Sequence, residues 1–184
     1  MTNNNNNNTI QTNTEDDAEI PGIRFVDYKD ESQLEYVMSL VGRDLSEPYS
    51  IFTYRYFLHR FPELCILAVA DDSPEPIACV VGKIDIEGVD ETEQEQAENA
   101  EKTGYIGMLA VQEAYRRKGI GQALVHRILQ RMKNMECRSV TLETEVTNTT
   151  AQKLYQDRFG FIREELLVRY YLNWNDAYRL RLWF

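Results

Sequence analysis

Histidine and cysteine are scarce in this sequence. Its 184 residues include two histidines and three cysteines. Cys65, Cys79 and Cys137 are widely spaced and odd in number, and no C-x-x-C pair or histidine cluster exists. Neither a zinc site nor a disulfide framework is therefore expected, and no other metal is; reduced thiols in a cytoplasmic protein are the plain expectation. With only His59 and His126 present, no Ser-His or Cys-His nucleophile is readable. No apolar run approaches the roughly 18 residues of a membrane-spanning helix. Met1 to Glu19 has no basic start followed by an apolar segment, so neither a secretory leader nor a mitochondrial address is expected. Bases are missing from two stretches. Residues 1–22 carry Glu15, Asp16, Asp17 and Glu19 without a Lys or Arg, and residues 85–101 carry eight carboxylates without one. The formal charge of −10 resides in these two stretches, and the remainder is slightly positive. That balance disfavours DNA as a partner but leaves room for an anionic small ligand at one basic loop.

The composition, 43% apolar and 27% charged, suits one globular domain. Residues 1–22, with the run Asn3 to Asn8, are too polar to offset their ordering entropy and are expected to be disordered. The domain spans 23–184, with 87–103 a polar insertion. Ile23–Tyr28 reads as a strand. Glu31–Gly42 reads as a helix ending at its glycine, and Thr53–Arg60 as a second helix closed before Pro62. Leu64–Ala70 and Ile77–Ile86 form a hairpin. Gly104–Val111 is a strand, Gly119–Asn134 an amphipathic helix, and Arg138–Val146 a strand. Thr149–Phe159 is a helix with Asn148 as its N-cap. Phe161–Leu172 and Ala177–Trp183 close the sheet. The order gives an α/β fold, a mixed sheet of about seven strands flanked by helices.

The most informative stretch runs from Tyr105 to Leu124. An apolar strand feeds a basic loop, Arg116-Arg117-Lys118-Gly119-Ile120-Gly121, which opens a helix. The first amides of a helix have no intrahelical acceptors and carry partial positive charge, and two glycines let backbone close on an anion. The loop reads either as a phosphate cradle or as a solvated basic turn. G-x-x-x-x-G-K-[ST] is absent, and Leu124 stands where a dinucleotide fingerprint needs Gly or Ala. On the strand Leu142-Glu143-Thr144-Glu145, alternation sends both carboxylates to one face, which needs a cavity, a partner or water. Tyr155 falls on its helix's apolar face with Ala151 and Leu154, either packed in the core or aiming its hydroxyl at a ligand.

R-x-x-G-x-G at Arg116, Gly119 and Gly121, followed by N-x-x-A-x-x-L-Y-x-x-x-x-G-F from Asn148 to Phe161, resembles the GNAT superfamily of N-acetyltransferases. Within it the chain looks most like the catalytic subunits of NatC-type N-terminal acetyltransferases. The residues carrying that likeness are 44–50, 54–58, 62–64, 104–111, 142–146 and 169–173. The likeness covers roughly residues 23–180; the acidic insertion looks longer than usual, and the asparagine-rich head has no counterpart.

The resemblance implies a GNAT fold and acetyl-CoA as cosubstrate. The coenzyme's diphosphate would lie on the amides of Arg117, Lys118, Gly119, Ile120 and Gly121, with Arg116 and Arg117 as charge partners. Its arm would pair with the backbone of Leu109, Ala110 and Val111, where one amide also faces the developing oxyanion. Glu143 matches the general base, and Tyr155 the general acid beside the thioester. Asn148 is implied to contact the cofactor, and Glu145 to shape the field. Leu45, Glu47, Pro48, Tyr49, Tyr105, Tyr170 and Tyr171 would wall a slot for an N-terminal Met and a bulky second residue. Implied partners are nascent N-termini, a large and a small auxiliary subunit and, through them, the ribosome. A lysine or small-amine acetyltransferase is the enzymatic alternative. A non-catalytic CoA-binding scaffold is the other, using Phe52, Tyr56 and Phe57 as an exposed apolar face.

Overall fold

A computed structural model describes residues 19–44, 49–86 and 100–184. Most of the expected tail and insertion lie outside the described residues, as do Leu45, Glu47 and Pro48. Among the described residues, seven strands form one mixed sheet: β1 (Ile23–Asp27), β2 (Cys65–Ala70), β3 (Pro76–Ile86), β4 (Lys102–Val111), β5 (Cys137–Glu145), β6 (Ile162–Leu167) and β7 (Ala177–Trp183). Their order is β1-β2-β3-β4-β5-β7-β6. β4 and β5 run parallel and every other neighbouring pair antiparallel.

Helices cover both faces. α3 (Ile120–Asn134) crosses from β4 to β5 and buries Leu124, Ile128 and Met132 against Val80, Ile106, Val140, Leu142 and Leu180. α1 (Leu34–Asp44) and α2 (Ile51–Arg60) bury Val37, Val41, Tyr54 and Phe57 on the opposite face with Leu67, Val81, Met108 and Ala110. The three cysteines are buried and unpaired in disulfides, as packing residues are.

Four boundaries depart from the sequence reading. Gly42 does not end its helix: α1 runs on to Asp44, because a glycine costs only about 1 kcal/mol in a helix and Leu40 and Val41 are buried beside it. α2 starts two residues early, at Ile51, because the Ser50 hydroxyl accepts from the Thr53 amide at 3.2 Å. Lys102 and Thr103 belong to β4 rather than to the insertion, since they pair with β3 and β5. The segment 161–172 is not one strand. β6 ends at Leu167, and Arg169 and Trp174 take positive φ (53° and 66°) in a tight connection to β7. The proposed apolar face on α2 also fails as a patch. Phe52 is 76% exposed, but Phe57 is buried and Tyr56 half-buried.

Candidate active site

β4 and β5 pair from Lys102 to Tyr105 and then separate. A bulge marks the point. Val81 faces Met108 and Gly82 faces Ile106, so Gly107 is an extra residue on β4. Glycine suits it, since a Cβ there would stand 3.0 Å from the Phe57 ring. A bulge bends its strand. Beyond it, β4 keeps its pairing to β3 but has no strand on its other edge among the described residues. The resulting cleft, about 470 Å³, has Ile106 to Leu109 on one wall and Leu142 to Glu145 on the other. Asn148, Ala151 and Tyr155 also line it. A strand edge with no neighbouring strand is a template for an amide-bearing ligand. Leu109, Ala110 and Val111 sit on that edge, and Ala110 offers only backbone because its side chain is buried under α1 and α2.

The basic loop follows β4 directly. Arg117 has φ 64° and Gly119 has φ 83°, both left-handed, and Gly119 caps α3 without a side chain. Alternating right- and left-handed residues make concave nests of amides that suit anions. Ile120 is buried and anchors the helix start. A Cβ on Gly121 would meet nothing nearer than Val111 Cγ2 at 3.7 Å, an ordinary contact. Internal packing therefore does not require glycine at 121, and its bare backbone would let a ligand approach closely. Arg116 and Lys118 divide their roles. Arg116 Nε donates to the Val111 carbonyl at 3.0 Å, tying the loop to β4. Lys118 lies 4.8 Å from the Tyr115 ring, and the Tyr115 hydroxyl donates to Asp72 at 2.9 Å. This construction fits an anionic head group with an amide-bearing arm, which a plain solvated turn would not need.

Glu143 occupies the far wall. Its side chain is only 8% exposed, so it is not a solvated carboxylate on an open face. Oε2 accepts from the Tyr105 hydroxyl at 2.8 Å, and Oε1 accepts from Arg179 Nε at 3.0 Å. Burial, and then the Glu143 charge, push the Tyr105 hydroxyl well above the usual phenol range, so it stays protonated as a donor. Arg179 was not singled out from sequence. It comes to Glu143 only through the register of β5 against β7. A second cleft of about 490 Å³ opens beside Lys83, Asp85, Arg179 and Arg181. The two clefts share Tyr49, Tyr105, Gly107, Glu143 and Tyr170. The carboxylate thus stands where they meet.

Tyr155 lies in a wide π turn, Lys153–Arg158, that continues the short helix α4 (Thr149–Gln152). The expected regular helix to Phe159 is broken there, as happens often at functional sites. Asn148 caps α4, its Oδ1 accepting from the Ala151 amide at 3.0 Å. Tyr155 is 4% exposed, its ring stands edge-on to Phe161, and burial raises its hydroxyl well above the phenol range. The ring belongs to the core, and the residue also lines the cleft.

Glu145 accepts from Asn173 at 3.2 Å, from Asn175 at 3.4 Å and from Thr147 at 3.2 Å. It thereby holds the β6–β7 connection, whose Tyr170 and Tyr171 stack edge-on at 5.1 Å and border the cleft. Tyr49 is on the same wall. His59 pairs with Glu31 on the surface, and His126 lies half-buried on α3, so neither lines a cleft. Among the described residues no three His, Cys, Asp or Glu side chains converge on a metal-sized space.

Residues 34–161 match the acetyltransferase (GNAT) family. The chain is 47% identical over 161 residues to N-alpha-acetyltransferase 30 of Xenopus laevis, covering 88% of this chain and 54% of that protein, about half its length. It is 42% identical over 160 residues to N-alpha-acetyltransferase 30 of Saccharomyces cerevisiae, covering 85% of each. The structure superposes on a crystal structure of the NatC complex bound to Gag peptide and CoA with a TM-score of 0.79 and 41% identity, over 88% of this chain and 98% of that one. The mixed sheet, the glycine loop on α3 and these likenesses agree, and the chain belongs to the acetyltransferase (GNAT) family.

Proposed function

We propose that this chain is the catalytic subunit of a NatC-type N-terminal acetyltransferase. It would move an acetyl group from acetyl-CoA to the α-amine of polypeptides beginning Met-Leu, Met-Ile or Met-Phe. The observation that carries this reading is the position of Glu143 at the junction of two clefts, one of them bordered by the open edge of β4 and Tyr155. The relatives named above support it.

Acetyl-CoA supplies a reactive thioester. Amides from Arg117 to Gly121 hold its diphosphate at the start of α3, and the edge from Leu109 to Val111 pairs with its arm. Glu143 accepts a proton from the incoming α-ammonium, whose pKa near 8 asks only for a modest base. Tyr155 keeps a proton at its hydroxyl, available to a departing thiolate. Tyr49, Tyr105, Tyr170 and Tyr171 wall the acceptor side; Leu45, Glu47 and Pro48, expected to contribute to the same slot, lie outside the described residues. An apolar slot distinguishes second residues by about 1–3 kcal/mol per methylene, so selectivity is graded. The proposal includes the two auxiliary subunits, action at the ribosome and a cytoplasmic location.

A Met-Leu peptide containing one lysine tests the acceptor. Acetylation is expected at the α-amine, and blocking that amine should lower the rate at least about a hundredfold, as loss of the reacting group demands. Comparable acetylation of the lysine in the blocked peptide would make this a side-chain acetyltransferase instead. Gly121→Ala tests the cradle. A helical Gly→Ala change with room for its methyl should hold or raise stability, by up to about 1 kcal/mol, read as an unchanged or higher melting temperature. Calorimetric titration should show CoA binding weakened by about tenfold, near 1.4 kcal/mol. Unchanged CoA affinity places the diphosphate elsewhere.

A further inference from the structure

We propose that Arg179 is a positioning residue for the reaction, holding the Glu143 carboxylate in one orientation while Glu165 draws off part of its charge. This deepens the reading of Glu143 as general base and rests on it.

The three side chains form a row across three strands. Arg179 on β7 sits directly opposite Glu143 on β5 and, on its other side, opposite Glu165 on β6. Its guanidinium bridges them, Nε to Glu143 at 3.0 Å and Nη1 to Glu165 at 2.9 Å. A bulge in β6 builds the row. Arg163 pairs with Leu180 and Glu165 with Arg179, so Glu164 is the extra residue. The bulge puts consecutive carboxylates within reach of two arginines, since Glu164 binds Arg181 Nε at 2.7 Å. A regular strand would send Glu164 and Glu165 to opposite faces.

The planar guanidinium suits this bridging task, because its donors point in fixed directions. With Tyr105 on Oε2 and Arg179 on Oε1, each oxygen of Glu143 is fixed by one donor and keeps a further lone pair for the cleft. The other charged or titratable groups around the junction are Tyr49 ahead of α2, Tyr56 on α2, Lys83 and Asp85 on β3, Arg181 on β7, and Tyr170 on the β6–β7 connection. Tyr171 and Glu145 border it from the first cleft, with Tyr155 on the α4 side. Tyr105 and Arg179 donate to Glu143 itself.

One cation shared between two carboxylates gives the row a signature. Removing Arg179 leaves a nearly buried Glu143 facing the Glu165 charge, and both effects favour its protonated form. Removing the Glu165 charge leaves Arg179 to Glu143 alone, which favours the ionised form. The two substitutions must therefore move the pH profile of kcat in opposite directions.

The test uses the full chain with acetyl-CoA and a Met-Leu peptide. The pH dependence of kcat is measured alongside carbon NMR of the Glu143 carboxyl in the unliganded protein, which is free of the substrate's amine. Arg179→Gln should shift the pH profile of kcat to higher pH and lower kcat at neutral pH about tenfold, with KM for acetyl-CoA unchanged. Glu165→Gln should shift it to lower pH, and Arg179→Lys should return it toward the parent value. Glu165 is half-exposed on an edge strand, so its variant should fold even where Arg179→Gln does not. Shifts in the same direction, or a midpoint that stays put while only the melting temperature falls, overturn the proposal. Near-normal turnover in Glu143→Gln is a separate failure, because it removes the base on which the proposal rests.

Discussion

Glu143→Gln should lower kcat about a hundredfold to ten-thousandfold, the range over which a positioned general base contributes. The substitution is nearly isosteric, but the two sites differ in hydrogen bonding. Tyr105 and Arg179 both donate to the carboxylate, whereas an amide offers one acceptor and one donor. One of the two existing donors must lose its partner, at a cost of about 1–3 kcal/mol for a buried group. A lower melting temperature should therefore accompany the loss of turnover. CoA affinity should not change, because the proposed cradle lies at the start of α3 and the proposed strand edge on β4. Steady-state kinetics with a Met-Leu peptide, a thermal melt and a CoA titration separate the three effects. Turnover within about threefold of the parent would assign the proton to another acceptor.

Tyr155→Phe should also lower kcat, by about a hundredfold or more, but without the thermal cost. The ring keeps its place against Phe161, and no hydrogen bond to the hydroxyl is recorded among the described residues. Its hydroxyl is held protonated by burial, so the parent enzyme keeps this donor across the whole range in which it folds. The loss should consequently be independent of pH between about 6 and 9. It should shrink with an acetyl donor whose leaving thiol is more acidic, since such a thiolate needs less help to depart. A constant deficit across donors would make Tyr155 a packing residue.

The parts legible in the sequence were those set by local pattern. The apolar face of α3, the alternation of Leu142 to Glu145 and the Asn148 cap depend on residues a few positions apart, and each is where its spacing puts it. What could not be read depends on pairing between distant segments. The separation of β4 from β5 follows from a bulge at Gly107; a lone glycine in an apolar strand signals one only weakly. Arg179 meets Glu143 through a cross-strand register spanning 36 positions. Glu145 was expected to shape the field at the site and to hydrogen-bond nearby, but its partners Asn173 and Asn175, about 30 positions away, could not be read from spacing. The strand expected through Leu172 stops early because β6 has β7 on one side only and gives way to a left-handed turn at Arg169.

The gap between β4 and β5 takes its lining from both faces of the sheet. Leu142 packs on the α3 face, and Tyr105 packs toward α1 and α2. On the proposed function, donor and acceptor would approach from opposite faces and need not queue, and a long polypeptide would stay seated on one side while the spent carrier leaves from the other.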